Sequence, residues 1–415
     1  MATSHENRTL VVDFGDADRY QKLIADGNAF IHFVTLFILE LGLGLHHKPG
    51  CYGDCQLTRH SHYLRIRVGN LVIWRVQCKH CKAVFTVLPH FVLRYQSMPV
   101  ETARQSLFAL YGGLSLENTA ALLNVTAMAV YRLICRIGNV PMVRVLLHCG
   151  LSLPDYLIAD EKHSQCLSQK LYLATVTAGR VIWLLTSCPD KTAEAFAVGY
   201  GEFAQAAHAV QPNYRPKGIT CDGFDSTRQA LHQHFPHTPI ANCLYHAAKS
   251  LERQLKTIQE CLKRPLVSAF WLLFDTAKNS KLIPAFSLGQ KLRRFHEKVS
   301  QLAGHENGLN VRKWIGRKKQ GWFELVRHPK MPSTTTLLDQ AHNAIDRKLF
   351  AMKGFHQNSP HQKQYLNGFA LLYNFVPYQR RAKNARRCGV EVENGYLPRK
   401  DWFLSLQILT AGGFR

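Results

Sequence analysis

Between residues 156 and 243 the chain alternates β-rich runs with helical ones in an order that few folds accommodate. "YLIAD" (156–160) reads as a strand ending in an acid, and "KLYLATVTA" and "RVIWLLTSC" as two more strands joined at Gly179-Arg180. "KTAEAFAVGYGEFAQAA" reads as a helix, "KGITCD" (217–222) as a strand, "STRQALHQHF" as a helix and "TPIANC" as a strand. An order of three strands, helix, strand, helix, strand is neither a bundle nor a sandwich. It predicts a mixed α/β unit in which an antiparallel meander feeds a parallel part.

Two of those strands are expected to end in acids, Asp160 and Asp222. Mg²⁺ takes oxygen ligands, and a pair of ions about 3.5–4 Å apart can activate an attacking oxygen and stabilise a leaving one in phosphoryl transfer. Neither acid sits in a His/Cys pattern, so a catalytic zinc is not suggested. A lone strand-end Asp is more often a turn or helix cap. Two of them in a very basic chain favour metal. Lys and Arg number 52 against 28 Asp and Glu, a formal net charge of +24, and such a field attracts polyanions. Residues 311–400 alone hold eighteen Lys/Arg and five Asp/Glu, in runs such as "RKKQ", "QRRAKNARR" and "PRK". Counter-ion release from a phosphate backbone is the sharper reading of that charge; a solvated basic surface is the plainer one.

Upstream, Cys51-x3-Cys55 and Cys78-x2-Cys81 bracket two β-rich runs, "YLRIRV" and "LVIWRV", that flank the turn signal "GN". Four thiolates at the ends of a hairpin make a zinc ribbon, in which a structural Zn²⁺ supplies folding free energy that so small a unit lacks. His60, His62 and His80 are substitute ligands or plain surface residues. Within 100–137, "SLENTAALLNVTAMAVYRLI" reads as a helix capped by Ser115, a turn around Asn124, and a second helix from near Thr126. Ala120 and Ala121 allow the close crossing of a helix-turn-helix, and Tyr131 and Arg132 are placed to reach DNA. A helical pair with structural duty alone is the alternative.

The run "FIHFVTLFILELGLGL" (30–45) is oily but short and holds His32 and Glu40, so a buried or amphipathic helix is expected rather than a membrane span. With no basic segment leading an apolar core at the start, a reducing cytoplasmic compartment is expected, where paired cysteines indicate metal. Residues 247–330 give no strand signal and read as an all-α insertion. After them, "LLDQAHNAIDRKLFAMKGF" is a helix with Asp339, Asn343, Asp346 and Phe350 along one face.

"YLIADEKHSQ", "ITCDGFDSTRQALHQHFPHTPIANCLYHAAKSLERQ" and "TTTLLDQAHNAIDRKL" together resemble the catalytic core of insertion-sequence DDE transposases, nearest in pattern to the mutator-type group. That group shows a strand-end Asp, a second Asp-Gly, a Cys-x-x-His about twenty residues on, an α-helical insertion and a final acid on a helix. The resemblance covers about 150 to 375, and the ribbon with the helix-turn-helix is similar to the DNA-binding arm of such enzymes. It implies an RNase H-like core in two parts, 151–246 and 331–376, split by the α-helical insertion at 247–330. In front stand an N-terminal helical segment (1–47), the zinc ribbon (48–95) and the helix-turn-helix region (96–150); a basic C-terminal segment (377–415) follows.

The resemblance further implies that Asp160, Asp222 and a third acid hold two Mg²⁺ (or Mn²⁺). These would serve hydrolysis at element ends and transfer of the freed 3′-hydroxyl into target DNA. The family usually has Glu in the third position; here it is Asp339, with Asp346 and Glu324 as fallbacks. Cys243 and His246 match the Cys-x-x-His as accessory residues, with His246 near the scissile phosphate; a zinc half-site and plain packing and hydrogen-bonding groups are the other readings. Gly223 is expected to keep the rim clear for a phosphate backbone. Asp225 and Glu161 are read as capping or solvated charge, and Arg347 and Lys348 as phosphate contacts. The implied partners are double-stranded DNA, as terminal inverted repeats and target, and further copies of the chain in a homodimer or larger assembly on the bacterial nucleoid. A non-catalytic zinc-ribbon regulator and an RNase H-like nuclease are the competing functions.

Overall fold

The computed structural model describes residues 8–51, 56–166, 169–256, 258–274, 285–352, 355 and 361–414. The chain divides into two compact units, Met1–Ser152 with Ala344–Arg415, and Leu153–Asn343. Both are mixed α/β, each built on one mixed sheet.

The first unit begins with β1 (Thr9–Val12), α1 (Ala17–Ala25) and α2 (Gly27–Leu41), followed by β2 (Leu57–Arg65), β3 (Leu71–Cys78) and β4 (Val84–Pro89). The expected hairpin is β2–β3, with Gly69 and Asn70 both at positive φ in the connection, a conformation these two residue types tolerate best. The sheet order is β1-β4-β3-β2, and β1 pairs in parallel with β4. The segment read as helical therefore also supplies a strand. Its "TLVV" is a buried apolar run too short for periodicity to separate helix from strand. In α2 the oily run buries Phe30, Val34, Phe37 and Ile38 and leaves Leu36 and Leu39 exposed. Among the described residues no single helix is long and apolar enough to cross a membrane.

Next come α3 (Val100–Tyr111), α4 (Leu116–Leu122), α5 (Ala127–Ile137) and α6 (Met142–His148). The Ser115 hydroxyl accepts from the Asn118 amide at 3.0 Å and the Thr126 hydroxyl from the Ala129 amide at 3.2 Å, capping α4 and α5. Asn124, at φ 52, turns the chain between them. The two helices are bent by 114°, within the range of a helix-turn-helix. Ala120 is buried as expected, whereas Ala121 is exposed.

The second unit holds β5 (Tyr156–Cys166), β6 (Gln169–Ala178), β7 (Val181–Cys188), α7 (Ala193–Val210), β8 (Gly218–Cys221), α8 (Asp225–His234) and β9 (Ile240–Asn242). It continues with α9 (Leu244–Gln254), α10 (Glu260–Leu272), α11 (Ala285–Ala303), α12 (His305–Arg327) and the start of α13 (Thr336–Met352), whose residues from Ala344 on belong to the first unit. Its sheet runs β7-β6-β5-β8-β9, antiparallel across the first three strands and parallel from β5 to β9. Leu157, Ile158 and Ala159 are all buried, as a strand covered on both faces requires. Helices α9 to α12 enclose their own core around Phe270, Phe295, Trp314 and Trp322, with the two indoles 5.0 Å apart. Helix α12 lies close on β9: a Cβ added at Gly321 would stand 2.6 Å from Asn242 Nδ2 and 3.0 Å from its backbone nitrogen.

The remainder of the first unit is α14 (His361–Phe375), α15 (Gly389–Val392) and α16 (Trp402–Thr410). Helices α5 and α14 approach closely at Gly368, where a Cβ would lie 2.4 Å from the Ile134 carbonyl oxygen.

Candidate functional site

The parallel register explains how two distant acids meet. Strand β5 pairs with β8 through Tyr156↔Gly218, Leu157↔Ile219 and Ile158↔Thr220. Carried two residues further, that register sets Asp160 beside Asp222, and the two-residue period keeps both on the face of Ile158 and Thr220. Asp160 does not end its strand, contrary to expectation. Strand β5 continues to Cys166, its polar second half held by antiparallel pairing with β6, where Asp160 faces Thr175. Asp160 thus sits mid-strand, buried to 6 % exposure, at the level where β8 stops.

Asp222 follows β8 and accepts a hydrogen bond from the Phe224 amide at 2.6 Å, while Gly223 turns the chain at φ +92. A Cβ at Gly223 would lie 2.9 Å from both Asn242 Oδ1 and Lys318 Nζ. Close protein neighbours and a left-handed backbone account for this glycine. The open rim expected there is already filled.

Carboxylate oxygens of Asp160, Glu161 and Asp222 lie within 4.8 Å of one another. A second group, Asp160, Asp339 and His342, meets the same limit, so Asp160 belongs to both. Asp339 stands in the first turn of α13 and His342 one turn later, at the i, i+3 spacing that puts side chains on one helix face. These residues line a cleft of about 500 Å³ together with Lys162, Lys170, Lys191 and His246. The fallback acids fall in neither group; Glu324 is paired with Arg327 at 2.7 Å. Asp225 is an exposed first-turn acid of α8, in keeping with solvated charge; the N-cap is Phe224, with no side-chain cap hydrogen bond.

Glu161 and His342 were missed as cluster members. Strand alternation argues against Glu161, because neighbours point to opposite faces. In the fold it is half-buried, and its Oε2 accepts from the Thr227 hydroxyl at 2.6 Å. The signal for His342 was its spacing from Asp339. Its Nε2 lies 3.1 Å from the buried Thr175 hydroxyl.

Burial pushes the Asp160 carboxyl well above the usual carboxylate range, with repulsion from Asp222 and Glu161 adding to it and His246 opposing. Burial, then Asp222, raises Glu161 to about 7. Crowded acids of this kind are relieved by a bound cation. His246 is raised to about 9, first by its hydrogen bond with Cys243 against the effect of burial, with Asp160 and Asp222 contributing. Burial drives His342 the other way, to about 3, so that it is neutral.

Cys243 caps α9: its Sγ accepts from the His246 amide at 3.5 Å and the Thr335 amide at 3.3 Å. His246 Nδ1 in turn lies 3.3 Å from the Thr335 hydroxyl. The Cys-x-x-His therefore forms a helix cap and one wall of the cleft, and it belongs to none of the metal-competent groups among the described residues.

In the first unit, His47, Cys51, Cys78 and Cys81 bring ligand atoms within 4.8 Å of one another. Cys55 lies outside the described residues. One imidazole and three thiols fit a structural zinc by donor type and number. His47-x3-Cys51 repeats the spacing of Cys51-x3-Cys55, which is the signal that was available for it. Burial raises the Cys81 thiol, but the Lys48 and Ala83 amides with His47 and Cys51 outweigh it and bring the thiol down to about 6. His62 packs on Trp74 instead, with ring centroids 4.7 Å apart.

Of the residues expected to face DNA, Arg132 and Arg347 are exposed, and Tyr131 is half-buried and stacked on Tyr365 at 5.8 Å. Lys348 requires correction. It is 2 % exposed and donates from Nζ to the Leu114 carbonyl at 2.6 Å, so its ammonium is turned into the protein. Successive helix residues point about 100° apart, which is why exposed Arg347 says nothing for its neighbour.

No protein-family model matches this chain, and no curated protein matches it either.

Proposed function

We propose that the protein is a DDE-type DNA transposase, which hydrolyses phosphodiesters at the ends of a mobile element and joins the freed 3′-hydroxyl to target DNA. The observation that carries this reading is the sharing of Asp160 between two donor groups, one with Glu161 and Asp222 and the other with Asp339 and His342. Two adjoining sites with a common carboxylate suit a pair of divalent ions, Mg²⁺ or Mn²⁺. The meander joined to parallel strands, with an acid on β5 and another just after β8, supports an RNase H-like core for the second unit.

Asp160, Glu161, Asp222, Asp339 and His342 would hold the ions, which would supply activation of the attacking oxygen and stabilisation of the leaving one. The chain's own residues do the remainder. The carboxylates fix the ions, and Lys162, Lys170, Lys191 and His246 give the cleft a positive wall that draws in a phosphate backbone. His246, cationic at neutral pH, is placed to hold a phosphate oxygen. The Cys/His cluster stabilises the sheet of the first unit, whose helix-turn-helix offers Arg132 to double-stranded DNA. Two element ends are processed together, so the working assembly is at least a homodimer.

The test uses inverted-repeat DNA taken from the flanks of the coding sequence. Asp160→Asn and Asp222→Asn are expected to abolish nicking and strand transfer while binding to the repeats survives. Transposition by either variant sinks the proposal, and hydrolysis without joining assigns the site to an RNase H-like nuclease.

A further inference from the structure

We infer that the ion held by Asp160, Asp339 and His342 is nitrogen-ligated through His342 and is Mn²⁺ in preference to Mg²⁺. This rests on reading the cleft as a divalent-metal site, and it goes beyond an all-carboxylate set. His342 is buried, lies within 4.8 Å of both carboxylates by its ligand atom, and lines the cleft. Its Nε2 is engaged by Thr175, and its other ring nitrogen has no hydrogen-bond partner among the described residues. A metal-bound imidazole has this arrangement: one nitrogen on the ion, the other fixed by an outer partner that sets tautomer and ring orientation. A histidine serving the core alone would have no reason to bring a ring nitrogen within 4.8 Å of two carboxylates at a cleft.

The side chains explain why a nitrogen donor is useful here. Asp339 brings its carboxylate within 4.8 Å of the other two donors. The imidazole one helical turn later supplies a second donor from the same face. Mg²⁺ binds oxygen in near-ideal octahedral geometry and gives up its waters reluctantly. Exchanging an oxygen for an imidazole nitrogen favours first-row transition ions.

The test titrates Mn²⁺ into the full-length, zinc-loaded protein, following bound ion by loss of the free-ion electron paramagnetic resonance signal and nitrogen ligation by electron spin-echo envelope modulation. Wild type is expected to show ¹⁴N modulation and to need at least about a tenfold excess of Mg²⁺ for half-displacement of that ion. His342→Asn should lose the modulation and bind that ion about 10–100-fold more weakly, whereas His246→Asn should keep both. Asp339→Asn, at a half-exposed position that leaves the core intact, should weaken the same ion. Modulation that persists in His342→Asn, Mn²⁺ binding unchanged in Asp339→Asn, or displacement by equimolar Mg²⁺ overturns the inference. The two readings fail separately. Nitrogen-ligated Mn²⁺ without DNA cleavage defeats the transposase proposal alone, and Mg²⁺-supported cleavage without a nitrogen signal defeats this inference alone.

Discussion

Lys348→Met separates a packing role from a phosphate contact. Burial pulls the ammonium from 10.5 down to about 8, with Glu117 opposing. At about 1.4 kcal/mol for each tenfold change in proton affinity, the charged side chain is unfavourable by about 3 kcal/mol near pH 7. Between pH 8 and 10.5 the folded state has released its proton while the unfolded chain still holds one. The unfolded state then binds more protons, so stability rises with pH across that window. Methionine removes the charge but leaves the Leu114 carbonyl without its donor, which costs about 1 kcal/mol. The variant should therefore be about 2 kcal/mol more stable at pH 7 and equal to wild type near pH 10. Urea unfolding followed by circular dichroism at both pH values, fitted with a transition for each unit, measures this. A difference independent of pH, or a loss of stability at pH 7, refutes the reasoning. The salt dependence of DNA binding should be unchanged in Lys348→Met and reduced by about one unit of slope if the residue did meet a phosphate.

Cys81→Ser should release zinc and unfold the β2–β3–β4 region, which metal analysis and circular dichroism would show; full zinc retention contradicts the Cys/His site. Gly223→Ala forces a side chain into φ +92 and to 2.9 Å from Asn242 and Lys318. It should lose about 1–3 kcal/mol and weaken Mn²⁺ binding at Asp222, and an unchanged titration would show that the turn does not position that acid. Trp322→Ala removes a fully buried indole from the core of α9–α12 and should destabilise the second unit by about 3–5 kcal/mol in chemical unfolding.

The order of strands and helices from 156 to 242 was legible because each run is bounded by its own turn residues, Gly179 at φ +57 among them. Asp160 and Asp222 were legible for the same reason, as acids closing apolar runs. What escaped depended on pairing between distant segments. Asp160 lies mid-strand because β6 carries β5 onward through "EKHSQC", and no local signal reveals that partner. Strand β1 exists because β4, some 75 residues later, offers it a parallel edge. His47 and His342 carried local spacing signals, yet they become donors only where the fold brings them together with cysteines and carboxylates from distant segments. Lys348 and Arg347 are adjacent on one helix but point about 100° apart, one into the protein and one to solvent.

The basic run 317–320 shows how charge that suggests DNA can also serve the site. Arg317 and Lys319 are exposed, as a polyanion-facing stretch requires, but Lys318 between them is half-buried. Its Nζ donates to the Gly223 carbonyl at 2.8 Å, and its own carbonyl accepts from Asn242 Nδ2 at 3.0 Å. Helix α12 is thereby tied to the turn that carries Asp222 and to the end of β9 beside it. Arg228 joins the same knot, donating to Asn242 Oδ1 at 3.1 Å. The helical insertion therefore does more than extend the surface. It braces the loop bearing one acid of the cluster, while the chain that leaves the insertion enters α13 with Asp339 and His342. A stretch of helices with no chemistry of its own thus fixes donors at both of its ends, so damage to its Phe270–Trp314–Trp322 core should weaken ion binding at Asp222 and Asp339 together.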